Sequence, residues 1–174
     1  MYYKASNPFT RELTQSLGLG AGIEMRSMKD RIFLDTNIFI YAIDKSPGER
    51  KKQNVAQELI RKTIQKESGL ISIQVMQEFF NISTRKIQVP LSVDNAIEYL
   101  KYIAIMEIVV SDFEMVVLAA RLSEQYELSF WDSMIIQTAL AGNATMILSE
   151  DMLDGMMIED LKIVNPFYHI NAFS

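Results

Sequence analysis

The stretch Arg31-Ile-Phe-Leu-Asp-Thr-Asn-Ile-Phe-Ile-Tyr-Ala-Ile-Asp44 places a short apolar run directly before an amphipathic one. Ile32 to Leu34 predicts a short buried strand. Beyond Asp35 the apolar residues recur at helical spacing, which predicts a helix that begins near Thr36 or Asn37. The Asp35 carboxylate therefore lies where a buried strand becomes a helix, and in an open α/β sheet this junction faces the crevice where ligands bind. A carboxylate at that place is either a functional group or a helix cap.

Composition places the chain among folded proteins. Its 174 residues are enough for one α/β domain with a substantial core. Hydrophobic residues make up 49% and charged residues 22%, which argues against a disordered chain. The net charge of −5 argues against a generally basic nucleic-acid-binding surface. It leaves open an enzyme that reaches nucleic acid through a bound metal and a local basic patch.

Residue types restrict the chemistry further. The chain has no cysteine and one histidine, His169. A disulfide framework, a thiolate metal site, a cysteine nucleophile and a zinc site built from several histidines are therefore excluded. Any metal ligands must be oxygen atoms, which points to Mg²⁺ or Mn²⁺.

Residues 1–28 differ from the remainder and include the glycine-rich segment Leu17-Gly-Leu-Gly-Ala-Gly22. We interpret them as an N-terminal extension, either flexible or left over from cloning, and residues 29–174 as a single domain. No apolar run approaches the ~20 residues of a membrane span, and no signal-peptide core is present. We therefore expect a cytoplasmic protein with no membrane partner.

Strands alternate with helices along the domain, which predicts a three-layer α/β/α fold with a central parallel sheet of four to five strands. The strands are predicted near residues 32–34, 70–73, 105–110, 145–148 and 161–164, the last at an edge of the sheet. Beyond the first helix, further helices are predicted near residues 49–66, 74–86, 92–102, 111–127 and 132–142.

Local patterns give more detail for three of these helices. In the helix of residues 92–102, the spacing predicts that Ala96, Ile97 and Leu100 face inward. Ser111 and Glu114 have the spacing of a capping box for the next helix. Asp132 is predicted to open the last one.

Four acidic residues occupy positions that suit a shared site. Asp35, Glu78 and Asp151 each follow a predicted strand, so with parallel strands all three lie at one edge of the sheet. Asp132 shares a helix face with the apolar residues three, four and seven positions later, so it should point to the same edge. Clustered carboxylates repel one another, and a divalent cation removes that conflict. Bound Mg²⁺ leaves positions for water and a substrate phosphate, which suits phosphodiester hydrolysis.

The segments around these acids are Phe33-Leu-Asp-Thr-Asn37 followed by Tyr41 and Asp44, Met76-Gln-Glu-Phe-Phe80, Phe130-Trp-Asp-Ser-Met-Ile-Ile136 and Leu148-Ser-Glu-Asp151. In this order they resemble the motifs of PIN-domain ribonucleases, over about residues 30–167. Small members of that family are often VapC-like toxins of type II toxin–antitoxin pairs. The N-terminal extension has no counterpart in the family pattern.

The resemblance implies a Mg²⁺- or Mn²⁺-dependent endoribonuclease, frequently a homodimer, that cleaves RNA and is held inactive by a partner antitoxin. Residues 29–174 would then be a PIN-like nuclease domain. By motif match the catalytic and metal-binding acids are Asp35, Glu78, Asp132 and Asp151. The polar residues that help to orient the first acid are Thr36 and Asn37.

Each later acid also has a simpler interpretation. Glu78 lies with Gln74, Asn81 and Arg85 on a polar stripe, which is typical of a solvated helix face. The helix-opening acid could be only an N-cap. Asp151 lies in an acidic loop that ends in glycine and could be only a turn residue. The acids that could share its role are Glu150 and Asp154.

Two further side chains are candidates for contact with the substrate. Arg85 lies two turns beyond Glu78 and is the better candidate among the basic residues for a phosphate contact. Trp131, next to Asp132, either packs in the core or offers a base-stacking surface at the rim of the site. We prefer packing for Trp131.

Two other functions remain as alternatives. A phosphatase with Asp35 as covalent nucleophile would resemble the haloacid-dehalogenase-like enzymes, which require Asp-x-Asp after the first strand. Here the third position is Asn37, so the expected acid–base residue is missing. A non-catalytic RNA- or protein-binding module with the same fold would be expected to have lost a carboxylate, and all four are present.

Overall fold

The first strand, β1 (Ile32–Leu34), lies in the middle of the sheet and is completely buried. The structure, a computed structural model, describes residues 30–46 and 48–168. The N-terminal extension and His169 lie outside the described residues. A parallel strand pairs with β1 on each side, and helices cover both faces of such a sheet, so the side chains of β1 are all apolar.

Six strands form the sheet, in the order β3-β2-β1-β4-β6-β5. All neighbouring pairs are parallel except β5 with β6, which is antiparallel. This confirms the three-layer α/β/α fold and the mainly parallel sheet. The bounds of the other strands are β2 Gly69–Ser72, β3 Glu107–Val109, β4 Met146–Leu148, β5 Met157–Ile158 and β6 Leu161–Val164.

The prediction of the last strand as an edge was wrong. The strand β6 lies inside the sheet, because β5 pairs with its outer side through Met157 and Ile158. The strand β5 was not predicted, because two residues are too few to show an alternating pattern.

Helices follow the strands and connect them across the sheet. Their bounds agree with the predicted ones to within one or two residues, including the start of the first helix at Thr36. They are α1 Thr36–Ile43, α2 Arg50–Gln65, α3 Ile73–Arg85, α4 Val93–Ile103, α5 Phe113–Tyr126 and α6 Phe130–Ala141. No helix in residues 30–46 and 48–168 is long and apolar enough to cross a membrane.

For two helices, the residue predicted at the N-terminus was not the N-cap. The N-cap of α5 is Asp112, whose side chain accepts the Met115 N–H at 2.9 Å, and not Ser111. The N-cap of α6 is Ser129, so Asp132 is the third residue of the helix and not its first. In both places two residues that favour N-caps lie close together, and sequence alone does not choose between them.

The inner face of α4 also differs in part from the prediction. Ala96 and Ile103 are buried and Leu100 is half-buried, whereas Ile97 is 40% exposed. The helix packs on α3, with Tyr99 stacked on Phe79. The inner face therefore runs through Ala96, Tyr99 and Ile103 at helical spacing, which turns Ile97 outward.

Register in the sheet places two loops together. Leu34 of β1 pairs with Leu148 of β4, and the Asp35 N–H donates to the Leu148 carbonyl at 3.1 Å. The residues that follow the two strands, Asp35 and Ser149, therefore lie side by side at the carboxyl edge of the sheet. This is the edge at which open α/β sheets bind their ligands.

Candidate active site

Asp35 is buried and is held on both carboxylate oxygens. Its Oδ1 accepts the Thr36 N–H at 2.7 Å, which makes Asp35 the N-cap of α1. Its Oδ2 accepts the Ser149 hydroxyl at 2.7 Å and the Asn37 Nδ2 at 3.1 Å. The two interpretations of Asp35, as helix cap and as functional group, are therefore compatible, since one oxygen caps the helix and the other belongs to a polar network.

Burial raises the pKa of Asp35 to about 6, because removal from water disfavours the charged carboxylate. The hydrogen bonds from Ser149 and Thr36 oppose this shift, and the nearby charges of Glu78 and Asp151 add to it. Asp35 is therefore a carboxylate that resists ionisation and that a cation would stabilise.

Glu78, on α3, is tied to the same place by two donors. Thr36 Oγ1 donates to its Oε2 at 2.9 Å, and Gln74 Nε2 donates to its Oε1 at 2.9 Å. The side chain is half-buried. The interpretation of Glu78 as part of a solvated polar stripe therefore does not describe its surroundings.

Asp132 is held at the start of α6 by the capping residue. The Asp132 N–H donates to Ser129 Oγ at 3.0 Å, and Ser129 Oγ donates to the Asp132 Oδ2 at 2.7 Å. The first turn of a helix stabilises a negative charge by about 0.3–1 kcal/mol. Asp132 is therefore held in the first turn by Ser129, although it is not itself the N-cap.

Asn37 connects the loop after β4 to Asp35. Its Nδ2 lies 3.2 Å from Ser149 Oγ and 3.3 Å from the Asp151 Oδ2, and its Oδ1 accepts the Glu150 N–H at 3.3 Å. The Asp151 N–H in turn donates to Ser149 Oγ at 3.2 Å. One amide side chain therefore orients Asp35 and the acidic loop at the same time.

Glu150 and Asp154 are engaged elsewhere. The Glu150 carboxylate accepts the Lys52 ammonium at 2.7 Å and a short hydrogen bond from the Tyr41 hydroxyl, while Lys52 also lies 4.4 Å from the centre of the Tyr41 ring. Asp154 accepts the Asn165 N–H at 2.8 Å. Of these three neighbouring acids, Asp151 is the one that faces the cavity described next.

A cavity of about 460 Å³ opens at this edge of the sheet. All four predicted acids line it, together with Thr36 and Asn37. Among its lining residues Lys86 is the one cation, whereas Arg85 does not line the cavity and its guanidinium lies 3.4 Å from the Asn81 Oδ1. The charged residues that line the cavity are Asp35, Asp44, Glu78, Lys86, Asp132 and Asp151.

Trp131 also lines the cavity, and its side chain is 64% exposed. The prediction that Trp131 packs in the core was therefore wrong. The residues that follow it in α6, from Ser133 to Ile136, take the buried positions instead.

The donor chemistry of the cavity fits Mg²⁺ or Mn²⁺, because the acidic and amide ligands that it offers are all oxygen atoms. Within the described residues no three acidic side chains converge into a group that could hold an ion as they stand. Each acid instead bonds to a neutral donor of the protein: Ser149 to Asp35, Thr36 to Glu78, Ser129 to Asp132 and Asn37 to Asp151.

Three residues that hold the acids were not predicted from the sequence: Gln74, Ser129 and Ser149. Ser149 left a signal, since it follows β4 as Asp35 follows β1 and the two strands are neighbours. Gln74 was counted with the polar stripe of α3, where its spacing from Glu78 is that of an i, i+4 pair. Ser129 was hidden by the stronger motif match at Asp132.

The pH dependence of stability tests the burial of Asp35. Its pKa rises from 3.8 to about 6 on folding, so the folded state binds this proton more tightly than the unfolded state. Its contribution to the free energy of unfolding is therefore fully present below about pH 4 and is lost as the pH rises through 6, by roughly 3 kcal/mol. We expect urea unfolding in EDTA to show that the free energy of unfolding of Asp35→Asn, relative to that of the wild type, increases between about pH 4 and pH 8. A constant difference would contradict the burial of an ionisable group here.

Comparison with known proteins identifies the class. A model of the PIN domain family matches residues 32–152, and the chain belongs to this family. No curated protein sequence is similar enough to count as a relative.

Solved structures share the fold at low sequence identity. A toxin–antitoxin complex from Klebsiella pneumoniae aligns with a TM-score of 0.56 and 16% identity, over 78% of this chain and 97% of that chain. VapC20 of Mycobacterium tuberculosis, a toxin that cleaves the sarcin–ricin loop, aligns with a TM-score of 0.54 and 13% identity, over 69% and 91%. VapBC2 of Rickettsia felis, bound to a DNA fragment from its promoter, aligns with a TM-score of 0.53 and 22% identity, over 76% and 96%.

Proposed function

We propose that this chain is a Mg²⁺- or Mn²⁺-dependent endoribonuclease and the toxin of a toxin–antitoxin pair. One observation carries the proposal: a buried Asp35 shares one cavity with Glu78, Asp132 and Asp151 at the carboxyl edge of a parallel sheet. PIN-domain proteins of the VapC type are typically ribonucleases, and the sequence excludes cysteine chemistry.

The four acids are the proposed metal ligands. When bound, a divalent cation supplies an activated water and stabilises the charge that develops on the phosphate oxygens. Ser149 and Asn37 hold the Asp35 carboxylate, and Thr36 with Gln74 holds Glu78. Lys86, on the wall of the same cavity, is a cation that can pair with a substrate phosphate.

Two protein partners are part of the proposal. The structural neighbours include toxin–antitoxin complexes, and we propose an antitoxin that binds this chain. We also propose a homodimer, because Phe113 is 81% exposed on α5 and Val117, one turn later on the same helix, is also exposed. Light scattering tests the dimer, and a particle of monomer mass would contradict it.

RNA in the cytoplasm is the proposed substrate.

The phosphatase alternative has less support in the structure. Asn37 takes the position where an acid–base residue would be needed, and its amide donates to Asp35. An amide is too weak an acid to protonate a leaving group near neutral pH.

Expression in bacteria tests the function in cells. Induction of the wild-type chain should arrest growth and create new RNA 5′ ends at defined sites. If an adjoining gene encodes the antitoxin, its co-expression should relieve the arrest. The Asp35→Asn variant, expressed to the same level, should do neither. Growth arrest of equal strength by the variant would refute a nuclease mechanism at this site.

A further inference from the structure

The one tryptophan of the chain, Trp131, lies exposed on the wall of the acidic cavity. We propose that its indole is a stacking surface for an unpaired RNA base next to the phosphate that the acidic residues receive. This rests on the proposed ribonuclease function, and it adds a substrate-binding residue and a preference for single-stranded or flipped-out nucleotides.

Single exposed apolar residues are common on protein surfaces, so the exposure of Trp131 is weak support and the position of its side chain is the stronger one. Trp131 lines the same cavity as Asp35, Glu78, Asp132 and Asp151. An RNA whose phosphate reaches these carboxylates therefore has its neighbouring nucleotide at the indole.

The backbone of Trp131 is fixed with respect to the acids. Gln74 Nε2 donates to the Trp131 carbonyl at 3.3 Å and to the Glu78 Oε1 at 2.9 Å, so one side chain joins both. On the other side Ser129 caps the helix and bonds to Asp132. A change in the position of the indole is thereby limited to its own side-chain rotations.

Among residues 30–46 and 48–168, the aromatic neighbour of the indole is Phe130. The ring of Phe130 meets it in a T-shaped contact, with 5.4 Å between the ring centres and 70° between the planes. Such an edge contact supports one side of the indole, and 64% of the side chain remains exposed. An exposed, supported aromatic ring is the feature that single-stranded nucleic-acid sites use to stack bases.

An RNA base fits this place better than a protein side chain does. Every base offers a stacking face, so the contact needs no particular sequence. The charged groups that line the cavity are carboxylates and the Lys86 ammonium, and these charges suit a metal-bound phosphate with its sugar and base attached.

Because Trp131 is the only tryptophan, its fluorescence reports on this position alone. In the wild-type chain, with Ca²⁺ in place of Mg²⁺ to limit cleavage while oxygen ligands still hold a cation, short oligouridylate or oligoadenylate should quench the emission. An abasic ribose-phosphate oligomer of equal length should quench it far less. Under the same conditions, a fluorophore-labelled oligonucleotide should bind Trp131→Ala about 10- to 100-fold more weakly than the wild type, and Trp131→Phe should restore most of the affinity.

Controls separate stacking from damage to the fold. Tyr102→Ala removes an exposed aromatic ring that does not line the cavity, and it should leave RNA affinity unchanged. In the wild-type background, Trp131→Ala should raise KM more than it lowers kcat, at an unchanged melting temperature.

Two results would overturn the stacking role: equal RNA affinity of Trp131→Ala and its parent, or equal quenching by the abasic oligomer. Weakened antitoxin binding with unchanged RNA binding would also overturn it and would assign Trp131 to the protein partner. Absence of RNA cleavage by the wild-type chain would instead reject the proposed function itself.

Discussion

Asp35→Asn is expected to reduce metal-dependent RNA cleavage by the purified protein at least 100- to 1,000-fold, on the order of the several kcal/mol that metal-ion catalysis supplies. The amide keeps the shape of Asp35 and can still accept the Thr36 N–H that caps α1. It removes the one buried negative charge of the cavity. The loss should therefore appear in cleavage rate and not in folding, which a melting curve of the same preparation checks.

Asp154→Asn is the matched control for this variant. It makes the same chemical change three residues beyond Asp151, but Asp154 does not line the cavity and its Oδ1 accepts the Asn165 N–H. The amide retains that acceptor, so cleavage should stay within about twofold of the wild type. If Asp35→Asn and the wild type cleave RNA equally, the cleavage comes from a contaminating nuclease or from another site. No cleavage of any RNA by the wild type with Mn²⁺ would favour a non-catalytic binding module.

Mg²⁺ or Mn²⁺ is expected to raise the melting temperature of the wild-type protein. A ligand at about 100 times its dissociation constant stabilises the folded state by about 2.7 kcal/mol, which corresponds to roughly 5–10 °C for a domain of this size. The physical reason lies in Asp35, whose charge is disfavoured by burial and by Glu78 and Asp151 when no cation is present. Metal binding requires the ionised carboxylate, so the shift should shrink below about pH 6.

In EDTA, Asp35→Asn should be at least as stable as the wild type near pH 8, and the divalent ion should barely change its melting temperature. Asp154→Asn should respond to metal as the wild type does. If Asp35→Asn is much less stable in EDTA, Asp35 acts mainly as the cap of α1. If metal stabilises both variants equally, the ion binds outside the acidic cavity.

The sheet and most helices could be predicted because their signals are local. Ile32 to Leu34 and Leu148 are apolar residues followed by polar ones, which marks both the strand and its end. The strand β5 has only two residues and no local pattern, so its place at the edge depends on pairing with β6. The start of α6 was misplaced because Ser129 and Asp132 both favour N-terminal positions, and only the hydrogen bonds of the folded helix tell them apart.

The acids of the candidate site could be predicted from the sequence, whereas the residues that hold these acids could not. Asp35 and Asp151 follow strands, so topology alone brings them to one edge. The difference between Glu150 and Asp151 depends on Lys52, which lies far away in the sequence and pairs with Glu150. Likewise, Lys86 and Arg85 are neighbours in sequence, but the end of α3 turns only Lys86 toward the cavity. Such choices come from tertiary packing and leave no local pattern.

A crystal of the wild-type protein soaked in Mn²⁺ tests the central claim most directly, because the anomalous signal of manganese locates the ion without reference to any assumed site. The predicted result is an anomalous peak in the cavity, about 2 Å from a carboxylate oxygen of Asp35 and in contact with at least one of the acids Glu78, Asp132 and Asp151. The peak should be absent from Asp35→Asn crystals soaked in the same way. A cavity without manganese in the wild type, or a peak of equal height in the variant, would contradict the assignment of these acids as a metal-dependent nuclease site.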